Sequence, residues 1–155
     1  MKSPTHRKTP KIMLLMLFLI CSAGLLAQAV KPNGDGSQGT PFEISSAANL
    51  RWLSETSTHE AWGKPLDPDR RKVYYTQTQD IDLEHEDLSG WNDGHGWLPI
   101  GRSAVPFHGF YDGNNKSISH LRNNPSSFYI NSELGGMFDR ITSGEVRNLA
   151  LINVD

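Results

Sequence analysis

The sequence Phe107-His108-Gly109-Phe110-Tyr111-Asp112-Gly113-Asn114-Asn115-Lys116-Ser117-Ile118-Ser119-His120-Leu121 contains two β-rich runs joined by a polar turn. The runs are Phe107–Tyr111 and Ser117–Leu121, and the turn between them is Asp112–Lys116. Glycine and asparagine tolerate the backbone angles of tight turns, so this arrangement indicates a hairpin or a corner between two strands. The segment therefore favours a β-rich fold.

Strand-like patterns continue on both sides of this segment. Upstream, one parity of the chain carries Val73, Tyr75, Gln77, Gln79, Ile81 and Leu83. Downstream, Val146–Val154 alternates in the same way. Alternation of this kind predicts half-buried strands. Because no long helix is predicted after residue 60, the pattern leaves a sandwich, a barrel or a β-solenoid.

One short helix is predicted near the start of the folded region. After the strand-like Pro41–Ile44, Ser45 or Ser46 offers an N-cap to Ala47–Glu55. Leu50 and Leu53 fall on one face of this helix, which predicts that the face is buried.

The first 29 residues have the pattern of a secretory signal peptide. They hold four basic residues and no acid, followed by the apolar run Ile12–Leu26 and the small-residue exit Ala27-Gln28-Ala29. This run is shorter than the roughly 20 residues of a spanning helix, so a membrane anchor is disfavoured. A lipoprotein signal acylated at Cys21 is disfavoured by the bulky Ile20. We expect a signal at 1–29, a flexible lead-in at 30–40 and a single domain at 41–155.

Charge and cysteine content exclude several classes of protein. The full chain has a net charge of −2, and removal of four basic residues with the signal leaves −6. Nucleic-acid binders need a basic face, so no nucleic-acid partner is expected. The single cysteine, Cys21, leaves with the signal, and no disulfide is expected in the secreted chain. The predicted location is extracellular or at the cell surface, with no membrane span after signal removal.

Several motifs occur together in the order found in one family. They are Gly39–Ile44 with its helix, Asp80-Ile81-Asp82-Leu83, Trp97-Leu98-Pro99-Ile100-Gly101, Phe107–Leu121, Gly135–Ile141 and Gly144–Leu149. Together they resemble the N-terminal entry region of GLUG-repeat bacterial surface proteins. Similar segments precede the catalytic part of IgA-cleaving metallopeptidases. Met137 stands where the repeat has Leu, and one repeat is recognisable.

The resemblance implies an all-β fold, the start of a right-handed parallel β-helix with a short N-terminal capping helix. It places Phe110 and Ile118 among the side chains inside the coil. A solenoid needs neighbouring repeats and end caps, so we expect a truncated or unusually short member that self-associates through the uncapped β-helix end. A β-sandwich is the alternative, and it predicts antiparallel pairing of Phe107–Tyr111 with Ser117–Leu121.

The tract from Asp80 to Asp87 is the strongest candidate for metal binding. Its candidate ligands are Asp80, Asp82, Glu84 and Asp87. Oxygen-rich clusters suit calcium, although a solvated strand end and loop explains the same residues without a metal. The other histidines share no ligand spacing, and no His-Glu-x-x-His zinc motif is present.

The sequence predicts binding rather than catalysis. No Gly-x-Ser-x-Gly elbow is present, and we assign no catalytic residue and no cofactor other than possible calcium. Trp91, in a polar loop, and Tyr74 are the candidate ligand-binding aromatics. We expect a structural or adhesive surface module whose partner is a host glycan or matrix protein. The alternative is a non-catalytic N-terminal region of a secreted metallopeptidase or polysaccharide-degrading enzyme.

Overall fold

A computed structural model describes residues 28–63, 72–102, 104–122 and 136–154. Strand β1 (Phe42–Ile44) is followed by helix α1 (Ala47–Glu55) and the one-turn helix α2 (His59–Trp62). Strands β2 (Tyr74–Gln77) and β3 (Ile81–Asp82) come next, then two short 3₁₀ turns at Leu88–Gly90 and Asn92–Gly94. The chain ends with the longer strands β4 (Phe110–Ser119) and β5 (Glu145–Ile152). Apart from residues 28 and 29, the expected signal peptide lies outside the described residues.

The five strands form one sheet with β4 at its centre. Strand β1 pairs with β2, while β2 and β3 both pair with one edge of β4. Strand β5 pairs with the other edge of β4, and all of these strand pairs are parallel. Consequently, the core-side residues Tyr75, Tyr111 and Val146 stand in one row across the sheet.

The expected all-β fold, a right-handed parallel β-helix, is wrong. The described residues form an open five-stranded sheet combined with α1 and α2, which is a small mixed α/β arrangement. The error has a physical reason: alternation tells which side of a strand faces the core, but it does not tell how strands pair or whether the sheet closes.

Of the two alternatives predicted for Phe107–Leu121, a hairpin or a corner, the hairpin is wrong, and with it the antiparallel pairing expected of a sandwich. Residues Phe110–Ser119 form one continuous strand with a register irregularity between Asp112 and Lys116. Asn114 and Asn115 adopt φ of +51° and +57°, so the turn-like sequence bends the strand without reversing it. Ile81 pairs with Ile118 in parallel, and the next residue in that row is Leu151.

Helix α1 matches its prediction, and its buried face belongs to the hydrophobic core. Ser46 is the N-cap, and its hydroxyl accepts a hydrogen bond from the Asn49 N–H. Leu50 and Leu53 are fully buried. Trp62 of α2 donates its indole N–H to the Leu53 carbonyl at 2.8 Å, which joins the two helices.

Large aromatic side chains fill the core between the helices and the sheet. Tyr75 packs against Phe42, Phe107 and Tyr111 with ring centroids 5.5–6.2 Å apart. Its hydroxyl donates to the Ala61 carbonyl, which ties β2 to α2. Burial in this apolar core raises the pKa of the Tyr75 phenol well above its ordinary value. This packing fixes β2 and β4, and with them the residues on the opposite face of the sheet.

The lead-in makes specific backbone contacts. Asn33 accepts a hydrogen bond from the Glu43 N–H at 2.9 Å, and Val30 N–H donates to the Ala48 carbonyl at 3.0 Å. The first contact covers the outer edge of β1. None of the helices in the described ranges is both long and apolar enough to cross a bilayer.

Candidate functional site

The outer face of the sheet carries a half-buried aromatic pair. In β2 and β4, Tyr75 and Tyr111 point to the core, so the residues before them, Tyr74 and Phe110, point outward. Tyr74 and Phe110 are directly paired in the ladder. Their rings stack with centroids 5.0 Å apart and an interplanar angle of 14°. Tyr74 was predicted as a ligand-binding residue. Phe110 was predicted to lie inside a coil, and that prediction is wrong.

Charged side chains surround this pair. The Lys72 ammonium lies 4.6 Å from the Phe110 ring centroid, a cation–π distance. Along the ladder, Phe110 is followed by Glu145, and Asp112 is followed by Arg147. Two neighbouring rows therefore cross the sheet: an aromatic row, Tyr74 and Phe110, which ends at Glu145, and a charged row, Asp112 and Arg147.

The charged row is held by hydrogen bonds. Arg147 pairs with the Asp112 carboxylate at 2.9 Å and lies 3.7 Å from that of Glu145. Asp112 also accepts from the Asn148 amide at 3.0 Å and from the Asn114 N–H at 2.9 Å. The Asn148 hydrogen bond, followed by those of Asn114 and Arg147, holds the pKa of Asp112 below its usual value. The Asp112 carboxylate is therefore ionised at neutral pH, and these hydrogen bonds hold it in place.

These residues line a shallow groove of about 270 Å³, which we call the aromatic groove. Its outward-facing lining consists of Gln38, Lys72, Tyr74, Phe110, Asp112, Glu145 and Arg147. Sequence reasoning found Tyr74 but not the rest of this set. The signal that was available is the pair of aromatic dipeptides, Tyr74-Tyr75 and Phe110-Tyr111, because each places one ring inward and one outward.

Trp91 does not form the expected exposed platform. Its side chain is only 1% exposed and packs against Trp97, with ring centroids 6.2 Å apart. The Arg51 guanidinium covers it at 5.5 Å. The polar residues around Trp91 in the sequence suggested exposure, but the 3₁₀ turns on either side fold the indole into the core.

The acidic tract is divided between structural contacts and a small cluster. Asp80 accepts from the Ser117 N–H at 2.8 Å and from its hydroxyl at 3.1 Å. Asp87 caps the first 3₁₀ turn by accepting from the Ser89 N–H at 2.9 Å. These hydrogen bonds lower the pKa of both carboxyl groups. The structure thus places Asp80 and Asp87 as turn and cap residues, apart from the cluster that contains Asp82 and Glu84.

Asp82 and Glu84 lie together with His120, which the sequence did not single out. One potential ligand atom from each lies within 4.8 Å of the others. Asp82 Oδ1 is 2.7 Å from His120 Nδ1, and it accepts from the Ser119 hydroxyl and the Glu84 N–H. These bonds, the His120 contact first, lower the pKa of Asp82 to about 2. The pairing of β3 with β4 brings the three residues together, and linear spacing gives no sign of it.

Comparison with known proteins gives one distant relationship. The chain is 32% identical over 124 residues to halomucin of Haloquadratum walsbyi (strain DSM 16790 / HBSQ001), a match that covers 77% of this chain. The chain spans about 1% of the length of halomucin. No protein-family model matches the chain, and no solved structure matches it significantly.

Proposed function

We propose that the chain is a secreted or cell-surface module that binds a glycan in the aromatic groove. The observation that carries the proposal is the stacked Tyr74–Phe110 pair on the outer face of the sheet, bordered by charged side chains. Rigid aromatic rings offer apolar contact area to the C–H faces of a sugar. The neighbouring Lys72, Asp112 and Arg147 supply both donors and acceptors for its hydroxyl groups.

The fixed position of the groove supports binding without large rearrangement. Tyr74 and Phe110 lie on strands whose opposite faces are locked into the core by Tyr75 and Tyr111. The Asp112–Arg147 pair holds the polar border between β4 and β5. A site built on rigid elements loses less conformational entropy when a ligand binds.

The proposed location rests on sequence. Residues 1–29 have the pattern of a secretory signal, and the similarity to halomucin supports a surface-associated location. The resemblance to GLUG-repeat surface proteins, carried by the order of its motifs, points to the same location. A glycan or matrix partner would fit such a setting.

A binding role is favoured over catalysis at this groove. A general acid needs a raised pKa, whereas the pKa of Asp112 is lowered. The Asp112 and Glu145 carboxylates both face Arg147, whose single positive charge is shared between them. As an alternative within the same proposal, the module serves as the non-catalytic N-terminal region of a secreted peptidase or polysaccharide-degrading enzyme.

The test is a glycan and matrix-protein array followed by calorimetry on the best ligand. The protein is expressed from the full 155-residue sequence and recovered from the culture medium. We expect Tyr74→Ala to weaken binding by roughly 2- to 13-fold, the equivalent of about 0.5–1.5 kcal/mol for an aromatic contact. Tyr74→Phe keeps the ring and should retain most of the affinity.

Val30→Ala is the matched control, because Val30 is exposed and lies outside the aromatic groove. Absence of binding across the array, or equal affinity of the wild type and Tyr74→Ala, would contradict the proposal.

Repeating the titration with calcium and with a chelator tests the calcium expectation separately. If calcium takes part through the Asp82–Glu84–His120 cluster, Glu84→Gln removes the calcium-dependent part of the signal. Glu86→Gln, two residues away and outside that cluster, should leave it unchanged. Identical titrations with calcium and with the chelator would exclude calcium from glycan binding.

A further inference from the structure

Strand β5 lies at an open edge of the sheet. Among the residues that the structure describes, β5 pairs with β4 alone. A strand with one neighbour presents a row of unpaired backbone N–H and C=O groups on its other side, and such a row is a template for another strand.

The C-terminal part of β5 carries exposed apolar side chains. Leu151 is 41% exposed and Ile152 is 46% exposed, as is Val154 just after the strand. No charged residue occurs from Leu149 to Val154. Natural edge strands are usually protected by charges, proline or covering elements. Leu149–Val154 contains neither a charged residue nor a proline.

The opposite side of the sheet is arranged differently. At β1, the Glu43 N–H is already bonded to the Asn33 carbonyl. Within the described residues, the sheet therefore has one long edge without a partner strand, at β5, and one whose outer side is partly covered. A protein with one unpaired sheet edge forms a closed dimer when two copies pair through it, because no second edge is left for further copies to add and form a fibre.

We propose that two copies of this chain associate through β5, edge to edge and antiparallel. A twofold axis perpendicular to the sheet brings the two open edges together with their core sides aligned. The uncharged Leu149–Leu151 segment suits this self-pairing because, about a twofold axis at Ala150, it lies opposite its own copy with no like charges facing each other. The inference is independent of the proposed glycan site and rests on other residues.

The alternation of side chains restricts the register. Val146 pairs with the buried Tyr111, and Leu151 pairs with the buried Ile118, so both face the core side; Leu149 shares the side of Leu151. Residues directly opposite in an antiparallel pair point to the same side of the sheet. With Ala150 on the twofold axis, Leu149 of each copy meets Leu151 of the other. This register joins the apolar core sides of the two copies.

The first test is sedimentation velocity over a range of concentrations, with protein recovered from the medium of cells expressing the full sequence. We expect a concentration-dependent dimer for the wild type. Leu151→Lys places a charge at both leucine contacts and should weaken dimerisation on the order of 100-fold. Val30→Lys adds the same charge at an exposed apolar residue away from β5 and should dimerise like the wild type.

A cysteine variant tests the register independently. In a Cys21→Ser background, Ala150→Cys should form an intermolecular disulfide under mild oxidation, because opposed residues in antiparallel strands approach to about 4.5–5.5 Å. Ala104→Cys, also exposed, is the control and should not crosslink.

Circular dichroism of each variant confirms that it is folded before its association is interpreted. A protein that stays monomeric at every concentration would overturn the proposal. Association that persists in Leu151→Lys, or equal crosslinking of both cysteine variants, would overturn it as well.

Discussion

Gly101 occupies a backbone position that other residue types adopt only with strain. Its φ is +78°, and a Cβ built there would lie 2.1 Å from the Arg140 carbonyl oxygen and 2.7 Å from the Phe107 nitrogen. The Phe107 N–H donates to that same carbonyl at 2.9 Å. A side chain at position 101 would therefore push apart the two segments that this hydrogen bond joins.

We expect Gly101→Ala to lower the free energy of unfolding by at least about 2 kcal/mol, from the cost of the left-handed conformation and from the backbone clash. Urea denaturation followed by tryptophan fluorescence measures the change. Gly39→Ala is the control, since a Cβ at Gly39 meets nothing within 4 Å, and it should change stability by less than about 0.5 kcal/mol. Equal effects of the two substitutions would contradict the steric argument.

At the candidate site, the sequence predicted which side of the sheet a residue faces where the alternation along the strand was clear. Tyr74 and Tyr75 are adjacent, and alternation places one of them outward, as found. The same logic applies to Phe110 and Tyr111, but the expectation that Phe110 lies inside a coil assigned it to the wrong side. Trp91 was misjudged because the polarity of its neighbours says little about its own burial. His120 was missed because its contact with Asp82 spans two paired strands.

Among the elements, helix α1 was the most predictable, because its signals are local. The Ser46 cap and the spacing of Leu50 and Leu53 are both contained within one short stretch. In contrast, the sequence predicts two strands around a turn where the structure has the single strand β4. Asn114 and Asn115 do adopt the positive φ angles typical of turns, yet the chain continues in the same direction because β2, β3 and β5 pair with it on both edges.

The Ser46 cap gives a direct test at this scale. The Ser46 hydroxyl accepts from the Asn49 N–H at 3.3 Å, and its φ and ψ of −157° and 163° are those of an N-cap. Ser46→Ala should lower the free energy of unfolding by about 1 kcal/mol, because the first turn of α1 loses an acceptor.

Ser46→Gly should cost only a few tenths of a kcal/mol, since glycine is tolerated at this position. Chemical denaturation of both variants checks the difference. If alanine costs no more than glycine, the hydroxyl does not stabilise α1.

For the whole molecule, the sequence predicted strands and, apart from Phe110, their core sides, but not their arrangement. The pairs Tyr75–Tyr111 and Tyr111–Val146 each join residues about 35 positions apart in the chain. No local pattern encodes such distant pairing, and for this reason the closed, all-β arrangement was expected in place of an open sheet with helices. The same arrangement decides where the molecule is exposed: the aromatic groove lies across the outer face, and the open edge lies at β5.

This arrangement also predicts unequal local stability. Strand β4 is paired on both edges and packs Tyr111 and Ile118 into the core. Among the described residues, β5 is paired on one edge and leaves Leu151 substantially exposed. Segments with fewer buried contacts and more accessible hydrogen bonds open more often. We therefore expect amide hydrogen exchange to be slowest in β4 and markedly faster in β5 when the protein is dilute.

Varying the protein concentration distinguishes this difference in exchange within a single molecule from the effect of association. If two copies pair through β5, its outward-pointing amides gain partners, and their exchange should slow as concentration rises while β4 changes little. In Leu151→Lys the β5 amides should exchange fast at every concentration. Protection of β5 equal to that of β4 in dilute Leu151→Lys would mean that the edge is stabilised within a single chain. The open edge would then no longer explain either the exchange gradient or the self-association.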